Sequence, residues 1–247
     1  MDVVSVEKVI NDLLNYNGLK IVQCNDYFSF SLDSVLLPNF VTLRPSDKEI
    51  IDLGCGNAPV SMILSLKSKA NITGVEIQKA VYDLAIESLR INNLESKIKI
   101  INDDIKNITK YFPTDSVDVV VSNPPYFKNN ETSNINNNRI KAIARHEILI
   151  SLEDIIEKSK VILKNGGFLA IVHRTDRFMD IISSMRKNNI EPKRVRFVYP
   201  KVGCESNLVL VEGVKNGKPG LKVLNPLIVH NIDGTYSDEV MKMFNYK

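Results

Sequence analysis

The sequence predicts an α/β fold with a mostly parallel central sheet, helices on both faces of the sheet and an antiparallel hairpin near the carboxyl end. From Glu49 onward, short β-branched runs alternate with amphipathic stretches, and two strand-like runs then follow one another directly. Strand–helix alternation gives parallel strands, because each helix returns the chain to the edge where the previous strand began. Five parallel strands and the hairpin together predict a seven-stranded sheet.

The elements can be placed individually from their patterns. Helical spacing of apolar residues predicts helices at Pro59–Lys67, Lys79–Asn92 and Ser151–Leu163, and Asn165-Gly166-Gly167 is expected to cap the last of these and turn the chain. The parallel strands are expected at EIIDL (49–53), ITGVEI (72–77), IKIIND (98–103), VDVVVS (117–122) and GFLAIV (167–172), and the hairpin strands at KRVRFVYP (193–200) and SNLVLVEG (206–213).

Composition excludes several classes of protein. The three cysteines, Cys24, Cys55 and Cys204, are far apart in the sequence, which argues against a disulfide framework or a zinc site. The N-terminal residues carry acids where a signal peptide has bases, and no apolar run is long enough to cross a membrane. We therefore expect a cytoplasmic protein with no metal and no membrane partner. The net charge is only +3, so an acidic partner would require a local basic patch.

Glycines and acids follow successive predicted strands. Ligands of open α/β sheets bind beyond the carboxyl ends of the strands, so these residues are candidates for one site. Asp52-Leu53-Gly54-Cys55-Gly56-Asn57 ends the first strand, Glu76 follows the second, and Asp103 and Asp104 follow the third. An acid at the tip of the second strand is suited to binding the two hydroxyl groups of a ribose.

The loop composition indicates which nucleoside could bind. Ala58-Pro59 stands where a dinucleotide-binding loop has its third glycine, and no arginine or lysine follows to meet a pyrophosphate. Acids predominate instead, which suits a ligand that combines a ribose, an ammonium and a sulfonium. S-adenosylmethionine fits that description.

The fourth predicted strand ends at Asn123-Pro124-Pro125-Tyr126. Each proline holds the preceding residue in extended geometry, so the carbonyl groups of Asn123 and Pro124 are expected to point outward without partners in the sheet. Together with the Asn123 amide oxygen they would accept both N–H groups of a planar amino group, whose lone pair would then face an incoming methyl group. Tyr126 would give the base a ring to stack on.

These motifs resemble those of the class I S-adenosylmethionine-dependent methyltransferases, from about Glu49 to Gly213. The resemblance implies that DLGCGN is the cofactor loop, that Glu76 binds the ribose, that Asp104 contacts the adenine and that NPPY methylates an amino group. Asp33 is expected to be a helix N-cap or a cofactor contact. The expected cofactor-binding residues are Asp33, Asp52, Gly54, Gly56, Asn57, Glu76, Ile77, Asp103 and Asp104.

Further stretches resemble one branch, the bacterial tRNA(Val) adenosine-37 N(6)-methyltransferases. The resemblance implies a tRNA substrate, S-adenosyl-L-homocysteine as the product, and one effective domain in which residues 1–47 form a lead-in beside the cofactor pocket and residues 48–247 form the catalytic part. The stretches are DYFSFSLDSVLLPNF (26–40), SNPPYF (122–127), AIARHE (142–147), VHRTDRF (172–178), PKRVRFVYP (192–200) and GLKVLNPLIVH (220–230).

A tRNA substrate requires basic residues for its phosphates. Lys193-Arg194-Val195-Arg196 is the densest basic stretch, and no acid interrupts the chain from Lys193 to Val202. His146 is either a base contact or the start of a helix, and any single cation can be an ordinary solvated charge. The candidate RNA-binding residues are Arg139, Lys141, Arg145, His146, Lys193, Arg194 and Arg196.

Other functions remain open at the level of sequence. A guanine-N(2) ribosomal RNA methyltransferase and a release-factor glutamine methyltransferase also use planar amino groups, although the latter class usually has a larger helical N-terminal domain. A DNA adenine methyltransferase would need a means of extruding its base from a duplex. A non-catalytic S-adenosylmethionine-binding subunit would tolerate loss of Asn123. The oligomeric state is open between a monomer and a weak dimer.

Overall fold

A computed structural model of the chain describes residues 8–24, 30–124 and 151–245. Its strands are β1 Lys8–Asp12, β2 Lys20–Cys24, β3 Glu49–Leu53, β4 Asn71–Val75, β5 Ile98–Ile101, β6 Val117–Ser122, β7 Leu163–Arg174, β8 Ile190–Lys201, β9 Leu208–Lys215, β10 Lys222–Val223 and β11 Leu227–His230. Its helices are α1 Asp33–Phe40, α2 Pro59–Lys67, α3 Lys79–Ile91, α4 Leu152–Ile162, α5 Phe178–Lys187 and α6 Asp238–Met243, with 3₁₀ turns at Ile105–Lys110 and Thr175–Arg177.

The central sheet has the strand order β10-β8-β9-β7-β6-β3-β4-β5, with β11 also paired to β8. The pairs β3–β4, β4–β5, β3–β6 and β6–β7 are parallel, and β9 is antiparallel to both β7 and β8. The mostly parallel sheet with a C-terminal antiparallel pair is therefore confirmed.

One detail of the sheet differs from the prediction, namely the number of strands. The hairpin joins the parallel strands through β9, which pairs with β7 on one side and with β8 on the other. Beyond the hairpin, β10 and β11 pair in parallel with different halves of β8, so the described sheet has nine strands where seven were predicted. The twelve-residue length of β8 makes this possible, since one strand of that length offers a long outer edge.

Apolar clusters cover both faces of the sheet, as the alternation of strands and helices predicts. One cluster joins β3, β4 and β5 residues to α1, α2 and α3. The other joins residues on the opposite face to α4 and α5. No helix among the described residues is long and apolar enough to cross a membrane.

The role predicted for Asn165-Gly166-Gly167 is wrong. Helix α4 ends at Ile162, and Leu163 is already extended and begins β7. The pairing of β7 with β6 passes from Val117↔Leu163 to Val119↔Phe168, so residues 164–167 form a bulge opposite Asp118. A Cβ atom at Gly167 would lie 3.0 Å from the Asp118 carbonyl oxygen, which explains a glycine there.

The N-terminal hairpin and the C-terminal residues of the described chain are held together by hydrogen bonds. The hairpin β1–β2 is antiparallel, and its turn contacts the residues after α6. The Asn15 side chain donates to the Asn245 carbonyl, and the Asn245 side chain donates to the Asn15 carbonyl, both at 2.8 Å. The C-terminal helix is therefore fixed to the N-terminal lead-in.

Candidate active site

Four parallel strands end in the same row. In the sheet register Leu53 pairs with both Val75 and Ser122, and Val75 pairs with Ile101. The residues that follow these four strand ends are Gly54, Glu76, Asn102 and Asn123. The register thus brings the glycine loop, Glu76 and the start of the NPPY motif to one edge of the sheet.

Every second residue of the loop after β3 has a left-handed backbone conformation. Gly54 has φ of 74° and Gly56 has φ of 58°, values that glycine adopts without a steric penalty. The N–H groups of Gly54 and Cys55 both donate to the Val75 carbonyl, which holds the loop against β4. Ala58 also has a positive φ, 71°, directly before α2. Ala58, which stands where a dinucleotide-binding loop has its third glycine, therefore adopts the left-handed conformation that glycine favours.

Close packing of this loop depends on Gly74 in β4. A Cβ atom at Gly74 would lie 2.6 Å from the Cys55 sulfur and 2.8 Å from Ile100 Cδ1. Cys55 is buried, and burial raises the pKa of its thiol well above the ordinary value. Cys55 is therefore a packing residue under the loop.

Glu76 is held rigidly at the tip of β4. Its Oε2 accepts a hydrogen bond from the Gly56 N–H at 3.1 Å, and its Oε1 accepts one from the Gln78 N–H at 2.8 Å. Burial raises the pKa of the Glu76 carboxyl group, whereas these backbone hydrogen bonds lower it. A carboxylate has about four acceptor positions, so the backbone bonds fix its orientation and leave capacity for a ligand.

Asp52 and Asn57 lie behind the loop. The Asp52 Oδ2 accepts a hydrogen bond from the Ser61 hydroxyl at 2.7 Å, and the side chain is only 1% exposed. The Asn57 side chain is also buried and donates to the Val22 carbonyl of β2 at 2.9 Å. These contacts fasten the loop to α2 and to the lead-in, and the predicted cofactor contacts of both residues stay predictions.

Asn102, which the sequence reasoning missed, connects the tips of β5 and β4. Its side-chain amide donates to the Glu76 carbonyl at 2.8 Å and to the Ile77 carbonyl at 3.2 Å. The signal was available, because Asn102 directly precedes the two acids at the end of a predicted strand. We assign it the role of positioning the turn that bears Glu76 and Ile77.

Asp103 and Asp104 have different local roles. The Asp103 carboxylate accepts from the Asn107 amide, the Tyr111 hydroxyl and the Asp104 N–H, and these hydrogen bonds lower its pKa. Asp104 caps the following 3₁₀ turn by accepting from the Lys106 N–H at 2.9 Å. Both are half-buried at the β5 tip, beside the Glu76 turn.

The NPPY motif begins where expected. The Ser122 hydroxyl donates to the Leu53 carbonyl at 2.8 Å, which binds the end of β6 to the end of β3. Asn123 is half-buried and Pro124 is buried directly beyond this contact. Pro125, Tyr126, Arg139, Lys141, Arg145 and His146 lie outside the described residues.

Asp33 is not the N-cap of α1. The capping position is Leu32, whose backbone is already helical with φ of −49° and ψ of −40°, and no side chain caps the helix there. Asp33 is instead a buried residue of the first turn. Its predicted contact with the cofactor stays a prediction.

The basic cluster in β8 is paired internally. Arg194 donates to the Glu212 carboxylate at 3.0 Å and lies over the Phe40 ring at 4.7 Å, and Glu212 is 1% exposed. Arg196 makes two hydrogen bonds of 2.7 Å with Glu239. Lys193 donates to the Lys218 carbonyl at 2.9 Å. Two of the three cations thus have carboxylate partners within the fold.

No group of three or more His, Cys, Asp or Glu side chains within the described part of the chain is arranged to hold a metal ion.

Comparisons with known proteins agree with this geometry. A family model described as the methyltransferase small domain matches residues 31–190. A protein of Bacteroides fragilis named tRNA1(Val) (adenine(37)-N6)-methyltransferase is 26% identical over 216 residues, covering 85% of this chain and 86% of that protein.

Solved structures share the fold. A protein of Agrobacterium tumefaciens described as a predicted O-methyltransferase superimposes with a TM-score of 0.70 at 21% identity, over 86% of this chain and 95% of that one. Geranyl diphosphate C-methyltransferase of Streptomyces coelicolor, solved with S-adenosyl-L-homocysteine, geranyl diphosphate and Mg²⁺, gives a TM-score of 0.55 at 12% identity, over 74% and 76% of the two chains. The fold is that of the class I methyltransferases.

Proposed function

Because the chain belongs to the methyltransferase small-domain family, we propose that it transfers a methyl group from S-adenosylmethionine to the exocyclic amino group of an adenine in tRNA. The proposed position is N(6) of adenosine 37 in tRNA(Val), the position in the name of the Bacteroides fragilis relative. The observation that carries the proposal is the register that places Gly54, Glu76 and Asn123 beyond aligned strand ends.

The described residues fit the proposed cofactor. A buried carboxylate at the β4 tip, oriented by two backbone N–H groups, matches a ribose with two adjacent hydroxyl groups. The left-handed glycines let the backbone approach a ligand closely, and Asp103 and Asp104 lie at the neighbouring β5 tip, where an adenine would follow the ribose. When bound, S-adenosylmethionine would supply an activated methyl group on its sulfonium.

Asn123 and Pro124 would act on the target amino group. The Asn123 side chain and the two main-chain carbonyls provide acceptors, and Pro124 has no N–H that could repel an amino donor. Accepting both N–H groups orients the nitrogen lone pair, so no proton has to leave before the methyl group is transferred. The proton would leave after transfer, when the nitrogen carries a positive charge. The contribution of the chain is positioning and local electrostatics.

The choice of tRNA over other substrates has two supports. One is the name of the relative and its similarity over 85% of this chain, which is more of the chain than the family model matches. The other is the set of stretches between residues 122 and 230 that resemble the tRNA branch. A guanine-N(2) methyltransferase of ribosomal RNA and a release-factor glutamine methyltransferase are the competing candidates, because both methylate planar amino groups.

The proposal is tested by methyl transfer from labelled S-adenosylmethionine. Separate reactions receive tRNA from cells that lack this enzyme, ribosomal RNA and a purified release factor. We expect label in tRNA, and we expect Asn123→Ala to reduce the rate by about 10²–10³-fold, because it removes an acceptor that orients the reacting group. The affinity of the variant for S-adenosylmethionine should stay within about twofold, which controls for folding.

Two outcomes contradict the proposal in different ways. Label in ribosomal RNA or in the release factor alone would reject the tRNA substrate and keep the methyltransferase reaction. An Asn123→Ala variant as fast as the wild type would reject the role of the motif.

A further inference from the structure

The row of aligned strand ends continues from β6 into β7, where it meets an arginine. Ser122 pairs with Ile171, and Arg174, the last residue of β7, lies three residues beyond that pair. Among the described residues, Arg174 is the only lysine or arginine within three residues beyond the row formed by the ends of β3, β4, β5 and β6 and by Ile171. The acids in the same span follow β4 and β5, and they are Glu76, Asp103 and Asp104. Asn123 therefore has these acids on one side, beyond β3, and Arg174 on the other side, in the adjacent strand.

Arg174 and Asn123 continue the same face of the sheet. Arg174 pairs directly with Leu208 of β9, and directly paired residues point to the same face. Leu208 belongs to the apolar cluster that also contains Val121 of β6. Asn123 follows Val121 at two-residue spacing, and the proline after it favours extended geometry, so it continues that face.

The gap between the two residues has the size of a nucleotide. In the β6–β7 register Asn123 stands opposite Val172, two residues before Arg174. Strand rise and strand spacing then put the Cα atoms of Asn123 and Arg174 about 8 Å apart. A nucleotide can bridge such a gap, because its base and its phosphate extend from different sides of its sugar.

Hydrogen bonds fix the main chain from which the Arg174 side chain extends. The Arg174 N–H donates to the His173 Nδ1 at 2.8 Å. The Thr175 N–H donates to the Asn207 carbonyl at 3.2 Å, and the Thr175 and Ser206 hydroxyls are hydrogen-bonded at 2.8 Å. These bonds tie the end of β7 to the residues before β9, so the fold sets the position of the guanidinium group.

The guanidinium group of Arg174 is accessible to a ligand. Its Nε lies 3.5 Å from the Asp176 Oδ2, and the two side chains are 42% and 66% exposed. Ion pairs with this exposure contribute little to stability, so a phosphate can replace Asp176 as the partner at little cost. Arg194 differs, because its partner Glu212 is 1% exposed. A guanidinium group also matches a phosphate through two parallel N–H groups.

We propose that Arg174 binds a phosphate group that flanks the target nucleoside while Asn123 receives the amino group of its base. The inference rests on the proposed function, and it names a contact that would favour a nucleotide over the glutamine side chain of a protein. Phosphate contacts fix the position of a nucleic acid and do not read its sequence. Arg174 would therefore position the base, and the Asn123 site would select it.

The test replaces single phosphates of tRNA(Val) by neutral methylphosphonates. One tRNA, assembled from synthetic pieces, carries the neutral linkage on the 5′ side of the target adenosine, and a second carries it on the 3′ side. A third has both phosphates, and all three carry the same 2′-O-methyl groups beside these linkages, which protect the methylphosphonate from a neighbouring hydroxyl. We expect one of the two neutral linkages to weaken binding to the wild type about tenfold, because a hydrogen bond to a charged group is lost.

Arg174→Gln should bind the tRNA with both phosphates about tenfold more weakly than the wild type does, and it should no longer respond to that neutral linkage. The slope of log Kd against log salt concentration should fall by about one. Arg174→Lys keeps the charge and should keep the slope. The KM for tRNA should rise with Kd, whereas kcat should stay within about threefold and the affinity for S-adenosylmethionine within about twofold.

The matched control is Arg186→Gln. The Arg186 Nε also lies 3.5 Å from a carboxylate oxygen, that of Glu191, and its side chain is 64% exposed. Helix α5 leads from the carboxyl end of β7 to the start of β8, which runs in the same direction as β7, so Arg186 lies near the opposite edge of the sheet. This variant should bind tRNA, respond to the neutral linkage and depend on salt as the wild type does.

The outcomes separate this inference from the proposed function. If the wild type methylates tRNA(Val) and neither neutral linkage weakens its binding, the inference is wrong and the proposed function stands. The same conclusion follows if Arg174→Gln responds to the linkage as strongly as the wild type does. If the wild type transfers methyl groups to a protein and not to tRNA, the proposed function fails and the inference fails with it.

Discussion

At the residue scale, Asp52 shows how burial changes the chemistry of a group beneath the site. Burial raises the pKa of its carboxyl group to about 7 from an ordinary value of 3.8, despite the hydrogen bond from Ser61. The nearby Glu76 carboxylate raises the pKa further. The folded chain therefore keeps a proton on Asp52 at pH values where the unfolded chain has released it.

This proton predicts a pH dependence of stability. The contribution of Asp52 to the free energy of unfolding is fully present below pH 3.8 and is lost as the pH rises to about 7. Asp52→Asn removes the titration and keeps an acceptor for Ser61. We expect urea unfolding to show that the variant loses less stability than the wild type over this pH range and is at least as stable above pH 7. Parallel curves for the two proteins would contradict the assignment.

At the element scale, the site depends on how neighbouring strand ends are tied together. Asn102 at the end of β5 bonds to two carbonyls of the turn after β4, and Ser122 at the end of β6 bonds to the end of β3. These side chains fix the relative positions of loops that belong to different strands. The geometry of a ligand contact at Glu76 therefore depends on a residue that need not touch the ligand.

Asn102→Ala tests this dependence. Two hydrogen bonds of about 0.5–1.5 kcal/mol each are lost, so we expect the dissociation constant for S-adenosylmethionine to rise about tenfold. The matched control is Asn71→Ala at the opposite end of β4, where the side chain bonds to Glu49 instead. Equal cofactor affinities of the two variants would contradict a positioning role for Asn102.

Helices and strands whose ends are set by nearby residues could be predicted from the sequence, and those whose ends depend on distant residues could not. The bounds of β3, α2 and β6 match the predicted ranges, because β-branched runs and Pro59 define them within a few residues. The bulge at residues 164–167 depends on Asp118 in another strand, so a local pattern could not distinguish it from a helix cap. Helix α1 begins after Leu32, which has a helical backbone and no side-chain cap, so the sequence carries no capping residue from which this start could be predicted.

The candidate site and the basic stretch of β8 differ in how much of each can be predicted from the sequence. The meeting of the candidate residues at one edge of the sheet could be predicted, because the order and direction of parallel strands are enough to place their carboxyl ends together. The charges of Arg194 and Arg196 could not be interpreted from the sequence, because their partners Glu212 and Glu239 are 18 and 43 residues away along the chain. The role of Asn102 could not be predicted, because its partners are the main-chain carbonyls of Glu76 and Ile77, which lie 26 and 25 residues away along the chain.

At the scale of the whole molecule, the parts of the chain outside the family domain pack against that domain and extend its sheet. The domain match ends at residue 190, and the next residues form the β8–β9 pair, β11 and α6. Arg194 links β8 to Glu212 of β9, to the Phe40 carbonyl at the end of α1 and to Thr42. The N-terminal lead-in and the C-terminal segment thus meet beside α1.

The most direct measurement of the central claim is methyl transfer to two transcripts of tRNA(Val), one with adenosine and one with guanosine at position 37. We predict close to one methyl group per adenosine transcript, recovered as N(6)-methyladenosine after digestion and mass analysis, and no transfer to the guanosine transcript. Equal labelling of both transcripts, or a methylated guanosine in the digest, would contradict the account.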